Sequence, residues 1–288
     1  MDQMAGALGD VEMSESMRSG LMEIFEEASL YLVNSGPAAP VAKRGSESSE
    51  IGRRWDEQRA LDEAVAAVRV GDLSRVIAAA EGTLLRSRFN RSRGVFAHFA
   101  GVLIGSGHGA MAEYAQRLLL EHLDLAHERY SGRTLLHAAA AAGTLPIVEA
   151  LLGLGVDANV QDGGGHAPLY AAANECPGGG PVVKALVDAG ARVDACDGVK
   201  RCTALHMAAR RDNAGIAEAL LDCGADIEAR DSLGETPLRR AVNCRQQAVA
   251  ALLLARGADP HSVGSKGLTP LTAARGEMRS LFLRWAPP

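Results

Sequence analysis

Apolar and polar positions along this chain recur at helical rather than strand period. Within residues 16–34, Leu21, Ile24, Phe25, Ala28 and Leu32 share one helical face, while Glu23, Glu26 and Glu27 take the others. Ser35-Gly36-Pro37 ends that helix. Residues 35–52, with Pro37, Pro40, Gly45 and the cluster Ser46-Glu47-Ser48-Ser49-Glu50, read as a flexible linker. Helical period resumes at Trp55 and runs through Leu61, Ala64, Val65 and Val68 to Gly71. Asp72 then stands at an N-cap before Leu73, Val76 and Ile77, which predicts a helical hairpin. A second hairpin is predicted from an apolar run at Val95–Ile104, a break at Gly105-Ser106-Gly107-His108-Gly109 and a helix over Ala110–Ala126.

From Gly132 onward the pattern repeats. Thr134-Leu135-Leu136-His137, Ala167-Pro168-Leu169-Tyr170, Thr203-Ala204-Leu205-His206, Thr236-Pro237-Leu238 and Thr269-Pro270-Leu271 follow one another at spacings of 33, 36, 33 and 33 residues. Paired alanines come next, at Ala139-Ala140, Ala172-Ala173 and Ala208-Ala209. A second apolar helix follows in each unit, closed by Gly155, Gly190, Gly224 or Gly257, and Asp157, Asp226 and Asp259 complete a Gly-x-Asp in three of them. Units of this size cannot bury a core alone, so the period means a stacked array.

These motifs resemble the ankyrin repeat family over Gly132 to about Trp285. The resemblance implies an all-α solenoid of helix-turn-helix units with projecting β-turn fingers, preceded here by an N-terminal helical extension. The physical chemistry agrees. Thr at the N-cap (Thr134, Thr203, Thr236, Thr269) can accept from free helix amides, and Pro at the first helical position (Pro168, Pro237, Pro270) gives up no needed donor. A glycine after the second helix supplies the left-handed stop. The chain divides accordingly into an acidic segment with an amphipathic helix at 1–34, a linker at 35–52, helical hairpins at 53–130 that read as degenerate repeats or as an unrelated cap, and the repeats at 131–288. The 36-residue spacing has two sources: two extra residues within Cys176–Pro181 and one within Val199-Lys200-Arg201.

Composition narrows the function. The chain is 47% apolar but 4% aromatic, so its core must be built from Ala, Leu and Val. A net charge of -5 argues against a general nucleic-acid binder. No run of 18 apolar residues exists, so no membrane partner is expected. Acidic Asp2, Asp10, Glu12 and Glu15 precede the first basic residue, Arg18, which does not suit a secretory or transit signal. With five cysteines, the expected setting is cytoplasmic or nuclear, with reduced thiols.

Candidate chemistry is sparse. His137 and His206 read as structural, because the ankyrin resemblance implies that this histidine bonds backbone and neighbouring repeats. Cys196, Cys202 and Cys223 lie near His206 but lack the close spacing of a zinc site. Gly163-Gly164-Gly165 and Gly178-Gly179-Gly180 lack the Gly-Lys-Ser/Thr of a phosphate loop. No cofactor, metal or catalytic residue is expected. Charge is the sharper signal: residues 199–288 hold 13 Lys and Arg against 9 Asp and Glu, a net of +4, so the remainder carries -9. Arg210, Arg211, Arg239, Arg240, Arg245 and Arg275 fall on predicted inner helices, and Lys200, Arg201, Arg230 and Lys266 on fingers. The resemblance implies that these surfaces form a concave groove. The expected function is a non-enzymatic scaffold that binds a partner protein with an acidic surface or segment. The alternative is a regulatory or substrate-recruiting subunit of a larger enzyme complex. Residues 1–31, net -6, could reach the same groove across the linker.

Overall fold

The computed structural model describes residues 50–81, 93–176, 179–196, 198, 200–264 and 267–285. The helix expected at 16–34, most of the linker and Lys266 fall outside them.

The recurring motif becomes the start of a helix in each unit. The helices are α1 (Glu50–Val70), α2 (Leu73–Ala79), α3 (Arg93–Gly105), α4 (Gly109–Glu121), α5 (Leu135–Ala142), α6 (Leu145–Gly153), α7 (Pro168–Glu175), α8 (Gly180–Asp188), α9 (Ala204–Arg211), α10 (Ala214–Asp222), α11 (Pro237–Cys244), α12 (Gln247–Ala255), α13 (Pro270–Ala273) and α14 (Glu277–Arg284). Odd-numbered helices pack on one another in chain order from α1 to α13, forming an inner row. Even-numbered helices from α4 to α14 form an outer row in the same way. The hairpins at α1–α2 and α3–α4 therefore continue the stack rather than standing apart from it.

The small residues explain the closeness of the inner row. Ala139, Ala140, Ala172, Ala173, Ala208, Ala209 and Ala241 are buried, as are Leu136, Leu205 and Leu238. Such residues let short helices approach closely, and neighbour interfaces supply burial that a single 33-residue unit lacks.

Three elements differ from the sequence pattern. Helix α1 begins at Glu50, inside the stretch read as linker. The helix expected over Ala110–Ala126 stops at Glu121 and is followed by a 3-10 helix at Leu123–His127. That tighter turn tucks Leu125 and Ala126 into the core, where both are buried. Two short strands, β1 (Arg129–Tyr130) and β2 (Arg133–Thr134), pair antiparallel and form the first finger. Tyr130 of this finger lies over α3, where its ring meets His98 edge-on at 5.7 Å. Space is made by Gly101, since a Cβ there would fall 2.3 Å from the Tyr130 ring.

Candidate protein-binding surface

Three of the fingers are anchored by the residue at the third helical position of the preceding unit. The Thr134 N–H donates to Nδ1 of His137 at 3.3 Å. That leaves Nε2 of His137 to donate to the His166 carbonyl, 3.0 Å away in the next finger. Burial lowers the His137 pKa and keeps the ring neutral, as these two bonds require. His206 repeats the geometry, with Thr203 N–H at 3.2 Å and the Glu235 carbonyl at 3.0 Å. In the fourth clear unit Arg239 takes the position and donates to the Thr269 carbonyl at 3.3 Å. Thr236 caps the Arg239 N–H at 3.3 Å, and Thr269 caps the Thr272 N–H at 3.1 Å. Pro168, Pro237 and Pro270 occupy first helical positions. Among the described residues, no group of three or more His, Cys, Asp or Glu is placed to hold a metal ion.

The basic set divides in two. Arg240 pairs with Asp231, a side chain almost fully buried in the base of its own finger, and lies 4.0 Å from Glu235. The neighbouring carboxylate holds the Arg240 guanidinium above its usual range against the opposing pull of burial. Arg239 is buried, with Nε 3.9 Å from Glu235. Arg230 donates to the Gly234 and Val263 carbonyls at 3.1 and 2.8 Å and to the Ser262 hydroxyl at 3.0 Å, tying two fingers together. These three, expected on the binding face, are engaged within the array. Periodicity cannot show this, because an arginine on a finger or inner helix has the same sequence signature whether it faces a partner or its own carboxylate.

The remaining cations of this set among the described residues are exposed. Arg211 donates to Asn174 at 3.1 Å across a cleft of about 460 Å3 lined by Asn174, Glu175, Arg211 and Asp212. Arg245, the left-handed residue that closes α11, lines a second cleft of about 370 Å3 with Gln247, Arg275 and Glu277. Arg201, Arg210 and Arg245 have no side-chain partner among the described residues and are exposed, and Lys200 is exposed beside Arg201. Helix C-termini favour such cations.

Two fingertip features escaped the sequence reading. The residue two before each N-cap has positive φ: Gly132 (78°), Gly165 (78°), Arg201 (52°), Gly234 (66°) and Gly267 (69°). Arg201 is the non-glycine member, and left-handed backbone costs such a residue about 1–2 kcal/mol. Alignment of the fingers on their caps could have shown this. The other feature is apolar: Leu233, Val263 and Leu268 are 49%, 53% and 44% exposed on the last two fingers.

Comparison with known proteins matches this architecture. The family profile described as ankyrin repeats (3 copies) fits residues 106–197 and 169–264, together more than half of the chain. This chain belongs to the ankyrin repeat family. Its ankyrin array is similar to ankyrin repeat and SOCS box protein 16 of Homo sapiens, 37% identical over 169 residues, which are 54% of this chain and 37% of that protein. It is also similar to B-cell lymphoma 3 protein of Homo sapiens, 38% identical over 153 residues, 50% of this chain and 33% of that one. A third relative is an L-asparaginase of Dirofilaria immitis, 33% identical over 159 residues, 53% of this chain and 25% of the enzyme. The chain thus spans well under half of each. Ankyrin arrays are interaction scaffolds and in general not enzymes. Among the described residues no helix is long and apolar enough to cross a membrane.

Proposed function

We propose that this array captures a partner protein through an acidic segment laid along its fingers and inner helices, without catalysing a reaction. The observation that carries this reading is the set of exposed guanidiniums left after internal pairing, Arg201, Arg210 and Arg245, distributed over successive repeats. Guanidinium groups suit carboxylates because their planar donors can bind both oxygens at once. Five free cysteines support a reducing, cytoplasmic setting.

Affinity purification with the full chain tests the proposal. Wild type should retain a partner protein that elutes as salt rises, because exposed charges are screened beyond about 8 Å at physiological ionic strength. The Arg201→Glu, Arg210→Glu, Arg245→Glu variant should lose that partner while keeping its helical circular dichroism. Undiminished capture by the variant would overturn the proposal.

A second reading makes the chain a substrate-recruiting subunit of a larger enzyme complex. Its support is that one relative, by its name, joins ankyrin repeats to a SOCS box. Co-purification of a catalytic activity with the partner would favour it.

A further inference from the structure

The described parts of the last three fingers are bonded or packed to one another in sequence order. The Ser232 N–H donates to the Lys200 carbonyl at 2.8 Å, so the third and fourth fingers are bonded at the residues just before Arg201 and Leu233. One Nη1 of Arg230 bridges the Gly234 and Val263 carbonyls at 3.1 and 2.8 Å. A Cβ added at Gly264 would meet the Gly234 carbonyl at 3.7 Å and the Leu268 carbonyl at 3.9 Å, so the fifth finger lies directly beside the fourth. Leu233, Val263 and Leu268 are thus exposed on two adjoining fingers, and the exposed Arg201, which has no side-chain partner among the described residues, stands on the finger bonded to the first of them.

Arg201 adds an independent sign. It stands at a φ of 52° where the other four fingers use glycine. Strained backbone of this kind concentrates at functional positions, where it persists against its own conformational cost. The Arg201 side chain has no internal bond in the described structure to account for its presence there.

We propose that Lys200, Arg201, Leu233, Val263 and Leu268 on these three fingers form the docking site for a partner segment whose apolar side chains lie beside carboxylates. The apolar anchors cover Leu233, Val263 and Leu268, and the carboxylates meet Arg201 and Lys200. Apolar anchors supply affinity by leaving water, and the charge sets register and salt dependence. This inference rests on the array being a protein-binding scaffold and deepens that reading by naming the segment's chemistry.

The experiment uses the full chain and a fluorescein-labelled peptide of three aspartates joined to three leucines spaced by glycine. Two control peptides replace either the aspartates with lysines or the leucines with serines. Fluorescence anisotropy should show binding of the first peptide alone. The Leu233→Ser, Leu268→Ser variant should bind it about tenfold more weakly, as expected for loss of interface anchors. Arg201→Ala should weaken binding without raising the thermal midpoint, because the strain remains. Arg201→Gly should weaken binding while raising the midpoint, because the strain is relieved. Equal binding by wild type and Arg201→Gly would overturn the inference, as would equal binding of the lysine or serine control. Failure of wild type to bind the peptide would overturn it too. If affinity purification still recovers a salt-sensitive partner lost from the triple arginine variant, the broader reading survives that failure.

Discussion

Gly143 closes α5 at a φ of 73°, the position that Asp212 and Arg245 hold in later units at 57° and 61°. The turn therefore tolerates a side chain in principle. What forbids one at Gly143 is Cys176, whose Sγ would lie 2.5 Å from an added Cβ. Gly143→Ala should cost about 1–3 kcal/mol by overpacking. Pairing it with Cys176→Ala should recover part of the loss in a denaturation double-mutant cycle. His137 makes a second prediction at this scale. Its folded pKa is lowered below the unfolded value near 6.5, so its stabilising contribution is complete above that pH. The contribution disappears as pH falls from there through the folded pKa, because the unfolded ring then binds more protons. Urea midpoints should fall between pH 7 and 5, and His137→Gln should flatten that part of the profile.

At the scale of elements, the fourth finger and α11 are locked by Arg240 and Asp231. Arg240→Met would leave the Asp231 carboxylate buried without its cation. Breaking such a pair costs about 3–5 kcal/mol. The lower end is expected, since Asp231 still accepts the Leu233 and Glu235 N–H groups at 2.8 and 2.9 Å. Adding Asp231→Asn to that variant should restore part of the midpoint. The inner-row contacts give a complementary test. Leu205 and Leu238 are 1% and 0% exposed between helices, so Leu205→Ala or Leu238→Ala should each cost about 2–5 kcal/mol in urea unfolding. A cost under about 1 kcal/mol would contradict their burial between repeats.

For the whole molecule, the packing of α1 on α3 and of α3 on α5 makes the N-terminal hairpins part of one stack. In a solenoid, each unit is stabilised by its neighbour's interface. A chain beginning at Gly132 uncovers the α3-facing side of α5. It should unfold at lower urea with a smaller m-value, reduced by roughly a quarter if exposed area scales with the hairpins removed. An unchanged midpoint would show instead that residues 50–130 fold and unfold as a separate unit.

The repeat frame was legible because it follows from local chemistry. Thr caps, Pro at the first helical turn, small residues inside and glycine at the helix stop each carry their physical reason in a few adjacent residues. The continuation into residues 50–130 was only half legible, since those hairpins lack the recurring Thr-Pro-Leu motif and are recognised by what they pack against. The 3-10 turn at Leu123–His127 was not legible, because helical period is shared by any apolar stretch and only the core pocket for Leu125 distinguished the two. The site divides along the same line. Sequence alone determined that the basic residues belong to fingers and inner helices. Only the tertiary structure decided that Arg230, Arg239 and Arg240 face their own array while Arg201, Arg210 and Arg245 face water. Ion pairing depends on distances between residues brought together by stacking, and those distances do not exist until neighbouring repeats meet.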